Sequence, residues 1–171
     1  MEIVRFLTVE SLKNTMPINI DVDSKIIRDV IQVEQDVEVM QLLGSELYEK
    51  ITSLVSSGDI SLVENADYKK LLDDHIIKVL TYLSYSSLVS HTSFQFTDKG
   101  IQLRGSDNSQ AASIEQVNSI RKKYRNSGEL FANMMVDFIH CNLEKFPEYC
   151  PEEPESMKPT GRGYTCPIQF D

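Results

Sequence analysis

The sequence predicts an all-α fold: a bundle of four to five helices, with a small β-ribbon between the last two long helices and an extended C-terminal arm. Three observations predict it. Apolar residues recur at the helical 3.6-residue period over most of the chain. The stretch "SHTSFQFTDKGIQLRGSDNSQAAS" at 90–113 breaks that period with alternating Phe94, Phe96 and Ile101, Leu103 around a Lys99-Gly100 turn. The final stretch, 147–171, is rich in proline and glycine and offers no regular core element. At 171 residues the chain fits one domain. The expected organisation is a helical domain over 1–146, with the ribbon at about 94–103, and an arm over 147–171.

The opening run "MEIVRFL" reads as a short strand-like segment, followed by a short helix or turn beginning near Thr8 and broken at Met16-Pro17. A helix starts at Asp23 or Ser24, with Ile26, Ile27, Val30, Ile31, Val33 and Val37 as its apolar set and Asp23 as cap. Its β-branched residues lower intrinsic propensity, so tertiary packing is expected to hold it. Gly44 marks a break, Ser45 offers the next cap, and Leu47, Tyr48, Ile51, Leu54 and Val55 line one side of a helix that stops by Gly58. After a linker, a helix from about Asp67 to about Val89 carries the clearest stripe, including Leu72, Ile76, Val79, Leu80 and Leu83.

The last long helix is capped by Ser113. Its expected buried stripe runs through Ile114, Val117, Ile120, Tyr124, Leu130, Phe131, Met134, Met135, Phe138 and Ile139. Gly128 is expected to kink or split it, and Pro147 to end it. In the arm, Tyr164, Ile168 and Phe170 are adhesive points on an extended segment.

Charge and cysteine content narrow the function classes. With 26 acidic against 17 basic residues, the formal net charge is −9. That argues against a general nucleic-acid binder, which needs a basic surface to neutralise phosphates. No apolar run is long enough for a signal peptide or a membrane span, so neither is expected. The three cysteines, Cys141, Cys150 and Cys166, are odd in number and loosely spaced. They predict reduced thiols rather than a disulfide framework.

Chemistry-bearing patterns are sparse. His140 and Cys141 are adjacent on a helix and diverge, so no metal site is expected from them with Cys150 and Cys166. His75 sits on an apolar stripe, as core histidines do, and His91 follows a serine-rich helix end. Asp73 and Asp74 diverge, and neither a nucleophile elbow nor a phosphate loop occurs. No enzyme activity and no cofactor is expected. The one basic cluster is "RKKYR": Arg121, Lys122, Lys123 and Arg125, with Arg104 nearby, are candidates for electrostatic docking. A solvated helix face is the commoner meaning of such a run. For the ribbon, the apolar face formed by Phe94, Phe96, Ile101 and Leu103 packs either on the chain's own helices or against neighbouring copies.

Four stretches, taken in order, carry a resemblance: "QLLGSELYEKI" (41–51), "DYKKLLDDHIIKVLTYLSY" (67–85), "TDKGIQLRGSDNSQAASIEQVNSIRKKYR" (97–125) and "FIHCNLEKFPEY" (138–149). Over roughly residues 5–150 the chain resembles the head–tail connector (portal adaptor) proteins of tailed phages, as found in Bacteroides-infecting and crAss-like phages. The resemblance implies a helical structural protein of the virion neck, made in the host cytoplasm. It implies a ring of copies, most often twelve, beneath the portal, extending the DNA channel and docking a tail or second neck protein. Its implied partners are copies of itself, the portal protein, that next component and, without specificity, the passing DNA, with no membrane. The ribbon would face the channel or a neighbour, and the segment around Tyr164, Ile168 and Phe170 would reach the portal or an adjacent subunit. The alternative is a cytoplasmic helical interaction module that forms no ring.

Overall fold

A computed structural model describes residues 4–19, 21–97, 100–103 and 113–149; for 94–97 and 100–103 it describes the backbone alone. Five helices make up the body. We name them α1 (Val9–Thr15), α2 (24–43), α3 (Ser45–Ser57), α4 (66–93) and α5 (Ile114–His140). Both α2 and α4 are unbroken but contain a π turn, at Gln35–Val39 and Leu72–Ile76 respectively. Short 3₁₀ turns fill the α3–α4 connection and follow α5.

Local chemistry sets several ends. Thr8 Oγ1 accepts from Ser11 N–H at the start of α1, and the Asp23 carboxylate accepts from Lys25 N–H at the start of α2. Ser113 and Gln116 form a reciprocal capping box that starts α5. Gly44 takes a φ of 76° between α2 and α3, a conformation that favours glycine. Gly44, and not Ser45, therefore occupies the cap position of α3.

The architecture is held by α4 and α5, the most extensively paired helices. They run antiparallel: His75 stacks on Phe138 at 4.2 Å, Tyr82 meets Phe131 at 4.9 Å, and Tyr85 meets Tyr124 edge-on at 4.5 Å. Gly128 permits this approach. A Cβ built there would lie 2.6 Å from Leu83 Cδ2, 2.9 Å from its Cγ and 3.3 Å from its backbone nitrogen. Gly128 therefore neither kinks nor splits α5, which is continuous; it is the point where α4 presses closest. The core then spreads through Ile27, Ile31, Val39 and Leu43 of α2 and Leu47 and Ile51 of α3.

Two segments flanking the helices, 4–7 and 141–149, are pinned onto this body. Residues 4–7 form no strand. Instead Phe6 and Leu7 are buried, and the fully buried Gln35 side chain holds the segment: it accepts from Phe6 N–H at 2.8 Å and donates to Val4 O at 2.9 Å. The same amide donates to Tyr48 Oη, which in turn donates to Asp36 at 2.7 Å. After α5 ends at His140, Pro147 opens a 3₁₀ turn rather than ending the helix. Phe146 and Tyr149 are buried in the core. Tyr68 Oη donates to the Glu148 carboxylate, and Lys145 pairs with Asp67 at 3.0 Å, tying this segment to the start of α4.

The expected fold class needs correction. The fold is a five-helix all-α bundle, and neither a β-layer nor a ribbon belongs to its architecture. In the 94–103 region the backbone of Phe94–Thr97 pairs antiparallel with that of Gly100–Leu103, and among the described residues no third strand joins them. Two short strands without a third or a covering helix are too small to form a structural layer. The side chains of Phe94, Phe96, Ile101 and Leu103 lie outside the described residues, as do Arg104 and residues 150–171 of the expected arm, with Tyr164, Ile168 and Phe170. The arm's first residues, Pro147–Tyr149, are instead packed on the helical body.

Several expected core positions face outward. Val33 and Val37, one turn apart on α2, are 58 % and 56 % exposed, so this face of α2 points outward before the π turn as well as within it. Val39 and Leu43 carry the stripe in its place. On α5 the buried set is Val117, Gly128, Ala132, Met135, Val136 and Ile139. Ile114, Ile120, Leu130 and Met134 fall on other faces and are exposed.

Gly128→Ala tests the α4–α5 contact. An open helical glycine gains about 1 kcal/mol from alanine. Here displacement of Leu83 outweighs that gain, for a net loss of about 1–2 kcal/mol. Denaturant unfolding reads the sign, and a more stable variant would show that the helices do not meet as described.

Candidate functional site

The C-terminal third of α4 carries an unusual run of small polar residues, Ser84, Ser86, Ser87 and Ser90, before His91. On an antiparallel packing this segment lies beside the first half of α2 on one flank and of α5 on the other. Ser87 Oγ–H donates to Glu34 Oε1 at 2.5 Å, and Ser86 Oγ–H donates to Arg121 O at 3.0 Å. Hydroxyls in place of bulky side chains leave a cleft on each flank, and Ser87 and His91 line both.

The first cleft, of about 300 Å³, lies between α2 and α4. Ile26, Val30 and Val33 form apolar walls, and Asp29 and Glu34 supply carboxylates. Glu34 is the unusual residue. It is only 7 % exposed, and its Oε2 has no hydrogen-bond partner among the described residues. Burial pushes its carboxyl above the ordinary range, and Glu38 adds to the shift; the Ser87 hydrogen bond, Arg125 and His91 oppose it.

The second cleft, of about 480 Å³, lies between α4 and α5 and has the opposite sign. From α4 it takes Ser86, Ser90 and the shared pair; from α5 it takes Asn118, Arg121, Lys122 and Arg125. Arg125 is already engaged, pairing with Glu38 at 2.7 Å and Glu129 at 3.4 Å, and so joins α5 to α2. Lys123 points elsewhere, with its Nζ 5.7 Å from the centre of the Tyr124 ring. Of the basic residues singled out in the sequence, Arg121, Lys122 and Arg125 thus converge, Lys123 does not, and Arg104 lies outside the described residues.

Chemically, the first cleft suits an apolar body with a positive end and the second suits an anion. In the first cleft the Ser87 hydroxyl meets the Glu34 carboxylate, and among the described residues no third group holds the second carboxylate oxygen to orient that pair. Among the described residues no group of three or more His, Cys, Asp or Glu converges as a metal site would require, and no helix is long and apolar enough to cross a membrane. His75 is stacked between α4 and α5, where burial lowers its pKa, and it lines neither cleft. Sequence reasoning missed Glu34. The available signal was a carboxylate seven residues after Ile27 and three after Ile31, on the apolar stripe itself.

The raised Glu34 pKa has a definite pH signature. The folded state holds the proton more tightly than the unfolded state, so stability falls as pH rises from the ordinary value of 4.5 through the raised folded value. Glu34→Gln retains an acceptor for Ser87 and removes the buried charge. At neutral pH it should gain about 1 kcal/mol, or about 2–4 °C in Tm. That advantage should shrink on acidification through the folded pKa. Thermal melts from pH about 4 to 8 check this, and a difference that does not vary with pH would refute it.

Comparison with known proteins places the chain at family level. No curated protein and no solved structure matches it significantly. A model described as a family of unknown function, DUF6712, matches residues 39–156. That span takes in α3, α4 and α5, with the serine run and the basic residues, and leaves Glu34 outside it. Because the match covers well over half of its length, the chain belongs to the DUF6712 family.

Proposed function

We propose that the chain is a structural subunit of a tailed-phage neck. It assembles with copies of itself into a ring between portal and tail, extends the DNA channel, and docks the next neck component. The observation that carries this reading is the pair of outward apolar stripes. Val33 and Val37 stand one turn apart on α2, 58 % and 56 % exposed, and Leu130 and Met134 stand one turn apart on α5, 60 % and 51 % exposed. A closed ring of identical subunits needs two different patches on each copy, because its contacts are head-to-tail. Stripes on two separate helices meet that requirement. Burying the exposed half of each such side chain is worth about 1 kcal/mol, repeated at every joint.

Two further features support the reading. The order of stretches between residues 41 and 149 resembles portal adaptors. The net charge of −9 also suits a conduit, because a basic lumen would bind phosphates and slow the passage of DNA. The acidic cleft at Glu34 favours a second reading, a helical interaction module that forms no ring.

Light scattering with negative-stain imaging separates the two. The ring reading expects particles many times 19.5 kDa, either alone or with the portal protein added. A Leu130→Asp/Met134→Asp variant should remain folded, since both sites are exposed, and should fail to assemble. A chain that stays at 19.5 kDa with portal protein present would overturn the ring and leave the interaction module.

A further inference from the structure

The α2–α4 cleft combines three properties. Its walls are apolar, from Ile26, Val30 and Val33. Its carboxylate, Glu34, is more than nine-tenths buried and has one oxygen without a hydrogen-bond partner among the described residues. Asp29 adds a second carboxylate. Folding has therefore taken a carboxylate out of water and satisfied only half of it, through Ser87. A buried polar atom left in that state costs stability unless something else meets it. One water occupies about 30 Å³ of liquid, and the cleft holds about 300 Å³. Its size and walls call for a group with an alkyl portion, and its carboxylates call for a positive end.

We infer that the α2–α4 cleft is a binding site for an alkyl cation, an ammonium or guanidinium on a short apolar stem, with Glu34 as its counter-ion. The stem lies along Ile26, Val30 and Val33. The head reaches Glu34, and Asp29 adds a second negative charge. Two sources carry this chemistry: a free small amine or guanidine, and the side chain of a lysine or arginine from a second copy. The inference does not rest on the ring reading, because an isolated subunit contains every residue it uses.

The test titrates n-butylguanidinium into the full chain at pH about 8, above the ordinary carboxyl range, and follows backbone amides by nuclear magnetic resonance. Saturable shifts are expected at residues 26–34 and 87–91, with a Kd on the order of a millimolar for so small a probe. Uncharged n-butylurea, of similar shape, should bind at least about tenfold more weakly. Glu34→Gln should weaken butylguanidinium by about tenfold or more. If that variant does not fold, Val33→Lys serves instead. It alters an exposed wall position, and its own ammonium should compete for Glu34 and weaken the probe by a similar factor.

Equal binding of butylurea, unchanged affinity in the variants, shifts spread away from the cleft, or no saturable shift would each overturn the inference. Sedimentation with and without saturating probe then identifies the source. Dispersal of a wild-type assembly assigns the cation to a side chain of a second copy. Unchanged mass alongside saturable binding assigns it to a free amine or guanidine.

Discussion

The structure depends on one close approach, where α4 crosses α5 at Leu83 and Gly128. The gap left by the missing Cβ is what allows two long helices to pack along most of their length. Once Leu83 sits against the Gly128 backbone, the aromatic residues on either side fall into register. Tyr82, Tyr85, Tyr124 and Phe131 interlock around this point, and His75, Phe138 and Phe146 cluster toward the start of α4. These edge and stacked contacts add to the burial of the rings themselves. The same spacing brings Ser86 within hydrogen-bond reach of the Arg121 carbonyl, and so fixes the width of the basic cleft.

Against that pair, α2 is positioned by two adjacent polar residues with different fates. Gln35 begins the π turn and is fully buried, yet its amide is met on both sides by Phe6, Val4 and Tyr48. A polar group satisfied in this way specifies one docking of the N-terminal segment at little cost. Burial, with Asp36 beside it, pushes the Tyr48 phenol up to about 12, so this network stays protonated across the physiological range. Glu34, one residue earlier, has only Ser87. Of these two neighbours, Glu34 is the one left with an unmet carboxylate oxygen, and it stands on the wall of a cleft rather than in the closed core. That is why the cleft, and not the more polar Gln35 network, is where a ligand would be felt.

The helices were legible because burial imposes a period on the sequence, and most of the stripe on α4 was read correctly residue by residue. What was not legible was rotation. Val33 and Val37 read as core because they are apolar and near the helical period, yet the face they share on α2 is left uncovered by α4 and α5 and stays exposed. On α5 the apolar residues occupy too wide an arc to be buried by one neighbour, and only the position of α4 decides that Met135 goes in while Met134 stays out. Gly128 shows the same limit, since a helical glycine signals either flexibility or close packing, and the partner that distinguishes them lies 45 residues away. At the candidate site, the basic run was visible in sequence. Which of its members converge was not, because Arg125 is drawn toward Glu38 and Lys123 toward Tyr124.

The exposed stripes and the paired clefts bear on assembly from different directions. Apolar stripes supply affinity with little directional information, so on their own they would favour several registers between copies. Charge supplies register, because a mismatched pairing leaves like charges facing each other. The acidic and basic clefts flank the same short segment of α4, and one helix end therefore presents two opposite signs within a few residues of Ser87. On a chain whose overall charge is negative, copies repel at long range, and approach becomes favourable only where a basic patch meets an acidic one. Under the proposed reading, burial of Val33, Val37, Leu130 and Met134 would hold subunits together, and the clefts would select how they meet. Except at Val33, which belongs to both a stripe and a cleft wall, affinity and orientation would then be carried by separate residues, and substitutions at Leu130 and Met134 or at Arg121 and Lys122 could remove one and leave the other.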